Sequence, residues 1–123
     1  MRLIDNLYDI IDETCQENTL TYTVRFHADH VIYQAHFPGN PITPGVCLLQ
    51  MTTELLERKY ETRLLLYATG NIKFKRPVLP SDTPSLVFTK VVFDGEQLTA
   101  NVSVENEETQ FAKMTLRCKT LNA

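Results

Sequence analysis

The stretch HFPGNPITPGVCLLQMTTELLERKY, residues 36–60, decides how the rest of the chain is interpreted. Its first ten residues contain three prolines and two glycines, which restrict the backbone because proline locks φ and glycine supplies conformations closed to other residues. Thr43 is predicted to be the N-cap of a helix and Pro44 its first residue, because a proline gives up no intrahelical hydrogen bond there. The pattern predicts a helix from Thr43 to Tyr60.

This predicted helix changes character along its length. Its first turns are apolar around most of the circumference, whereas the residues from Glu57 to Glu61 are mostly charged. A helix of this kind is buried along most of its length and reaches solvent at its C-terminal end.

Four other segments alternate with a period of two, which is typical of strands with one buried face. The positions on the repeating face are Leu20-Tyr22-Val24-Phe26, Val87-Thr89-Val91-Phe93, Ala100-Val102-Val104 and Ala112-Met114-Leu116-Cys118. Asp94-Gly95 and Asn106-Glu107-Glu108 are suited to the hairpin connections between them. We therefore predict one α+β domain spanning residues 1–123, in which a curved antiparallel sheet wraps around one long central helix. Its edge strands predict a homodimer, because pairing across a two-fold axis would protect them.

Composition excludes several classes of function. A net charge of −3 argues against a broad nucleic-acid-binding surface. No segment approaches the roughly 20 apolar residues of a membrane-spanning helix, and the start of the chain lacks the pattern of a secretory signal, so a cytoplasmic protein is expected. The three cysteines form no CxxC pair, which argues against a disulfide framework and against a zinc site.

The segment before the helix has the residues of an acid–base site. The N–H groups of Gly45 and Val46 have no intrahelical partners, and the helix dipole favours negative charge at this end. A thioester carbonyl bound there would be polarised towards an enolate, while a neutral His36 nearby could remove the α-proton.

The same residues resemble a known family. HFPGNPITPGVCLLQ is similar to the active-site segment of β-hydroxyacyl-acyl carrier protein dehydratases of the FabZ and FabA type, in which HFPG and PGV lead into the central helix. FKRPVLPSD, residues 74–82, is similar to the strand and turn that follow in that family. The resemblance covers residues 22–89 well.

The resemblance implies a hotdog dimer, sometimes a trimer of dimers, with an acyl tunnel at the dimer interface. His36 would be the catalytic histidine, Gly45 would donate its N–H to the thioester carbonyl, and Phe37, Gly39 and Val46 would help to bind the substrate. The implied reaction removes water from a 3-hydroxyacyl thioester to give the trans-2-enoyl thioester, in fatty acid or related lipid or polyene biosynthesis. It needs no metal or redox cofactor, since the substrate is carried on the phosphopantetheine of acyl carrier protein or on CoA.

One position departs from the family. Gln50 occupies the place, fourteen residues after the histidine, where the family has a Glu or Asp, contributed from the central helix of the other subunit, that deals with the departing hydroxyl. An amide cannot give up a proton, and a general acid is worth about 10²–10⁴ in rate, or about 3–5 kcal/mol. Glu54 lies one helical turn further on the same face and is predicted to compensate as the acid or base, although a solvated carboxylate is the simpler explanation. We therefore list His36, Gln50 and Glu54 as the catalytic candidates.

Other charged residues have weaker signals. Lys75 and Arg76, together with Arg58, are expected to form a basic rim for an acidic carrier protein or a phosphopantetheine phosphate, although scattered surface charge explains them nearly as well. His27 and His30 have a spacing that suits no complete metal site and are expected to lie at the surface.

Two alternatives to the dehydratase stay open. A hotdog acyl thioesterase would need a carboxylate to activate water, and Glu54 is the candidate. A catalytically silent acyl-binding subunit of a dehydratase complex would explain Gln50, with a partner chain that supplies the missing acid.

Overall fold

The computed structural model describes residues 2–35 and 39–121. Among these residues a six-stranded antiparallel sheet has the strand order β1-β2-β4-β5-β6-β3. The elements in chain order are β1 Tyr8–Gln16, β2 Thr19–Phe26, α1 Ile32–Ala35, α2 Gly45–Tyr60, β3 Leu64–Phe74, β4 Ser85–Phe93, β5 Gln97–Glu105 and β6 Gln110–Thr120. The predicted α+β class, with one long helix against a curved antiparallel sheet, is confirmed.

Helix α2 begins one residue later than the sequence predicts. Pro44, with an extended ψ of 144°, is the N-cap, and no side chain caps the helix. The prediction that Thr43 caps it is wrong: the Thr43 hydroxyl is hydrogen-bonded with the Tyr33 hydroxyl at 2.9 Å, and its N–H donates to the Val78 carbonyl at 2.7 Å. The helix ends at Glu61, whose left-handed backbone directs its N–H to the Glu57 carbonyl.

The core lies between α2 and one face of the sheet. The helix buries seven side chains, Cys47, Leu48, Met51, Thr52, Glu54, Leu55 and Leu56. The predicted inward positions of β2, β5 and β6 are all buried, as the alternation requires. Burial of this apolar surface is the main source of stability, at roughly 25 cal/mol per Å².

Strand β4 changes face partway along. Leu86 and Phe88 are fully buried, so the inward positions in its first half are one residue out of phase with the prediction. A shift of register between Thr89 and Val92, with Lys90 at a positive φ of 51°, then returns Val91 to the core side. A bulge of this kind adds one residue to a strand and changes which face the following residues occupy.

Both hairpin predictions near the C-terminus are confirmed. The Asp94 carboxylate accepts the N–H groups of Glu96 and Gln97, each at 2.8 Å, and Gly95 supplies the positive φ of 94°. In the next turn the Asn106 side-chain oxygen accepts two backbone N–H groups in the same manner.

Strands β1 and β3 form the two edges of the sheet. Neither was predicted from the alternation pattern. No helix in the described part of the chain is long and apolar enough to cross a membrane.

Candidate active site

The start of α2 forms one wall of an open pocket of about 390 Å³. The walls are mainly apolar and come from two segments, 42–45 with Leu48, and 74–78. The second segment is held against β6, because the N–H groups of Lys75 and Arg76 both donate to the Phe111 carbonyl. The pocket therefore joins an apolar cleft to a helix N-terminus, where the unpaired N–H groups and the helix dipole favour negative charge.

Gly45 is fixed as glycine by a close contact. A Cβ on Gly45 would lie 2.7 Å from Cζ of Phe74, closer than real Cβ contacts. The Phe74 ring is about half exposed and covers the first turn of α2. The ring and the first amide of the helix thus share one corner of the pocket, a contact that the sequence prediction missed. The sequence offered one signal for this contact, because Phe74 is the first residue of the second family-like motif, residues 74–82.

A buried hydrogen bond joins the two ends of the segment that precedes α2. Tyr33, in α1, pairs with Thr43 through their hydroxyl groups at 2.9 Å, and both residues are buried. Burial raises the pKa of Tyr33 to about 12, so the phenol keeps its proton and can hydrogen-bond at physiological pH. His36 and Phe37 are predicted site residues between these anchors that lie outside the described residues. Gly39, in the same segment, has a positive φ of 78° that suits glycine.

The Glu54 side chain, on α2, is buried. The interpretation of Glu54 as a solvated carboxylate is therefore wrong. The exposure of Glu54 is 4%, and it accepts hydrogen bonds from four groups. Oε2 accepts the Leu3 N–H at 2.7 Å and Nε2 of Gln50 at 3.0 Å. Oε1 accepts the Ile4 N–H at 2.9 Å and the Tyr8 hydroxyl at 3.0 Å. Burial first, and then the Glu54 charge, raise the pKa of Tyr8, so that phenol stays a donor.

The structure places the three residues of the predicted basic rim at two separate locations. Lys75 and Arg76 line the pocket at the start of α2. Arg58 lies thirteen residues along the same helix from Gly45, about 20 Å away, and its guanidinium is 3.4 Å from the Glu13 carboxylate. Only the first two cations can therefore act at this pocket in a single chain.

The two histidines outside the motif have local structural partners. Nε2 of His27 is 2.8 Å from the Asp9 carboxylate, and Nδ1 of His30 accepts the Ile32 N–H. Both histidines are half-buried at the surface.

Comparison with known proteins places these features in a family. Residues 12–115 match the ApeI-like family, described as ApeI dehydratase. The 3-hydroxyacyl-[acyl-carrier-protein] dehydratase FabZ of Lactococcus lactis is 31% identical over 115 residues, covering 84% of this chain and 76% of the relative. FabZ of Lactobacillus helveticus is 27% identical over 124 residues, covering 97% of this chain and 79% of the relative.

Solved structures with the same architecture include the dehydratase heterocomplex ApeI:P from Xenorhabdus doucetiae. It has a TM-score of 0.67 at 14% identity and covers 90% of this chain and 96% of that chain. The putative thioesterase yhdA from Lactococcus lactis has the same TM-score at 8% identity, covering 95% of this chain and 94% of that chain. At such identities the likeness shows the fold.

The sheet, the central helix and these neighbours define a hotdog-fold protein. Within that class, the match over residues 12–115 shows that the chain belongs to the ApeI-like dehydratase family. The resemblance to FabZ-type dehydratases is confirmed.

Proposed function

We propose that this protein removes water from a β-hydroxyacyl thioester carried on acyl carrier protein and releases the trans-2-enoyl thioester. The observation that carries the proposal is the apolar pocket that ends at the Gly45 amide, within a chain of the ApeI-like family. A pocket of this kind suits an acyl thioester, whose chain is apolar and whose carbonyl gains negative charge during α-proton removal.

Each candidate residue has a part in this reaction. The Gly45 N–H, at the positive end of α2, stabilises the charge on the thioester oxygen. His36 removes the α-proton, and Gln50 with Glu54 forms the pair on the hydroxyl side. Phe37, Gly39 and Val46 are assigned to substrate binding from the family motif, and of these Gly39 and the exposed Val46 lie outside the lining of the pocket at the start of α2. The reaction needs no metal or redox cofactor, because the thioester itself acidifies the α-proton.

Delivery of the substrate is assigned to the basic edge of the same pocket. Lys75 and Arg76 are exposed at its rim, where they would attract an acidic carrier protein or the phosphate of its phosphopantetheine. CoA has the same phosphopantetheine phosphate. A competition assay between acyl carrier protein and CoA would show which of the two carriers the protein prefers. The setting is cytoplasmic fatty acid biosynthesis or a related lipid or polyene pathway.

The active form is proposed to be a homodimer, with a trimer of dimers as the larger assembly. Strand β3 is a sheet edge and exposes the apolar side chains of Leu65 and Tyr67. Pairing two β3 edges across a two-fold axis would remove both edges and cover these side chains.

The first test is turnover of short β-hydroxyacyl-acyl carrier protein substrates of several chain lengths, followed by mass spectrometry. The wild type is expected to form the enoyl product with loss of one water, and His36→Ala is expected to lower the rate by about 10²–10⁴ because the base is removed. Equal rates in the two proteins would contradict the assignment of His36.

A change at Gly45 tests the carbonyl site. Gly45→Ala is expected to lower kcat/KM by about 10- to 100-fold, because the new methyl and the displaced Phe74 ring crowd the amide that binds the oxyanion. The melting temperature should change by only a few degrees, since the exposed ring can swing outwards. The double variant Gly45→Ala, Phe74→Ala is the control: it relieves the 2.7 Å contact and should recover part of the loss. Full activity in Gly45→Ala would show that the carbonyl binds elsewhere.

A second candidate function is an acyl-binding subunit without activity of its own. Gln50 at the acidic position of the family favours it, and a related protein of known structure is part of a dehydratase heterocomplex. Inactivity of the folded homodimer, together with co-purification with a paralogue that has Glu at this position, would support it. The thioesterase alternative is separated from both by assaying free thiol released from acyl-CoA.

A further inference from the structure

Thr43 joins the two walls of the pocket at the start of α2. Its N–H donates to the Val78 carbonyl at 2.7 Å, so the segment that precedes the helix is hydrogen-bonded to the segment that follows β3. Thr43 and Val78 both line the pocket, and their exposed fractions are only 3% and 1%. Gly45 lies two residues further along the chain. A movement of Thr43 would therefore move the amide that is proposed to bind the thioester oxygen.

Tyr33 holds the side chain of Thr43, although it is not itself part of the pocket lining. The two hydroxyl oxygens are 2.9 Å apart, and Tyr33 is only 4% exposed. The Tyr33 ring packs edge-to-face on the ring of Phe26, the last residue of β2, with the ring centres 6.4 Å apart and the planes at 86°. A buried ring packed in this way has little freedom to move. The Tyr33 hydroxyl is therefore a fixed point to which the pocket wall is attached.

The same hydrogen bond occupies the Thr43 hydroxyl, which does not cap α2. A threonine beside the start of a helix commonly caps it, because its side-chain oxygen accepts one of the first N–H groups. Here the N-cap residue is Pro44, whose side chain makes no such bond. The first N–H groups of a helix have no acceptor within the helix. Pairing Thr43 with Tyr33 therefore keeps the Thr43 oxygen from competing with a ligand for these N–H groups.

We propose that Tyr33 is a positioning residue of the candidate active site: through its hydrogen bond with Thr43 it fixes the pocket wall that leads to Gly45, and so holds the Gly45 amide where the thioester oxygen binds. The inference rests on the proposed dehydration. Tyr33 contacts no substrate and transfers no proton. Its contribution is the precise position of the oxyanion donor, and a displacement of about 1 Å in such a group can lower a rate by about 10²-fold.

The kinetic test removes the two hydroxyl groups one at a time. Tyr33→Phe keeps the ring on Phe26 and is expected to lower kcat for dehydration by about 5- to 30-fold, with KM changed by less than about threefold, because the oxyanion contact is strongest in the transition state. Thr43→Val keeps the backbone bond to Val78 and should cause a similar fall. Thr43→Ser restores the hydroxyl and should recover most of the rate that Thr43→Val loses. An unchanged kcat in Tyr33→Phe would overturn the inference.

The double variant Tyr33→Phe, Thr43→Val tests whether the two hydroxyl groups act as one unit. Both single changes break the same hydrogen bond, so the double variant should have a kcat within about twofold of the slower single variant. If the two losses multiply instead, the hydroxyl groups act independently and the inference is wrong.

Thr23→Val is the matched control for a general loss of structure. It breaks another hydrogen bond between two hydroxyl groups, that of Thr23 with Ser85 at 2.8 Å, which joins β2 to β4. Neither residue lines the pocket at the start of α2. Its kcat should stay within about twofold of the wild type, although its melting temperature falls by an amount similar to that of Tyr33→Phe. An equal fall of kcat in Thr23→Val would show that Tyr33 acts only through stability.

Amide hydrogen exchange tests the inference without an activity assay. In Tyr33→Phe the protection of the Thr43 N–H, which is bonded to Val78, is expected to fall by about 10-fold or more, while the amides of β5 and β6 keep theirs. Thr23→Val should leave the Thr43 N–H protected. Equal protection of this N–H in Tyr33→Phe and the wild type would overturn the inference whatever the activity. Absence of dehydration in the wild type would reject the proposed function, and the exchange comparison would still decide whether Tyr33 holds Thr43.

Discussion

Replacing Glu54 by alanine is expected to lower the free energy of unfolding by about 3–4 kcal/mol, because it leaves buried donors without an acceptor. Two of these donors are the backbone N–H groups of Leu3 and Ile4, which cannot move away without unpacking the N-terminal segment. For a chain of this size the loss corresponds to a fall of roughly 10–15 °C in melting temperature, measurable by calorimetry.

Glu57→Ala is the matched control for this change. Glu57 is on the same helix, but its carboxylate is only partly buried and accepts one backbone N–H, that of Leu64 at 2.8 Å. Its replacement should cost about 1 kcal/mol. Equal losses in the two variants would mean that burial of the Glu54 network adds nothing to stability.

Gln50→Glu is expected to make stability depend steeply on pH. The new carboxyl would occupy the place of an amide that lies 3.0 Å from Glu54, and two carboxylates this close cannot both ionise easily. The pKa of the new carboxyl at position 50 in the folded protein is therefore raised above the ordinary value of about 4.3. The full stability of the variant is present below pH ~4.3, and it is lost as the pH rises through the raised folded pKa. The loss is about 1.4 kcal/mol for each pH unit that separates the unfolded and folded pKa values of this carboxyl.

Melting temperatures of Gln50→Glu and the wild type between pH 4 and pH 8 would measure this effect. The control is the exchange variant Gln50→Glu, Glu54→Gln, which has one carboxyl and one amide at these positions. The melting temperature of this exchange variant should not show the fall with rising pH that two neighbouring carboxylates cause. A constant difference between Gln50→Glu and the wild type across this range would show that the two side chains do not interact electrostatically.

The fold was predictable from the sequence where burial follows regular alternation. Strands β2, β5 and β6 pack one face on the core and were found, whereas β1 exposes most of its side chains and leaves no such signal. Strand β3 has two shifts of register against β6, which break the period of two. The inward residues in the first half of β4 were predicted wrongly for the same reason. The bulge near Lys90 shifts the alternation by one residue, and the side-chain pattern does not reveal it.

The candidate site was predictable in its motifs and not in its contacts. Gly45, Lys75 and Arg76 line one pocket, as two family-like motifs suggested. The burial of Glu54 could not be foreseen, since two of its partners are backbone N–H groups, which every residue except proline offers. Arg58 was grouped with the wrong cations because the sequence does not show which end of α2 lies beside Lys75 and Arg76.

The sequence separations of three hydrogen bonds bear on the order of folding. The bond between Tyr33 and Thr43 spans ten residues, whereas the bonds of Glu54 to Leu3 and Ile4 span 51 and 50. Closing a short loop costs less chain entropy, and contacts between distant residues slow folding. During synthesis Leu3 and Ile4 leave the ribosome before their acceptor, which is made some fifty residues later. These two residues, although made early, are thus expected to be among the last to be fixed in place.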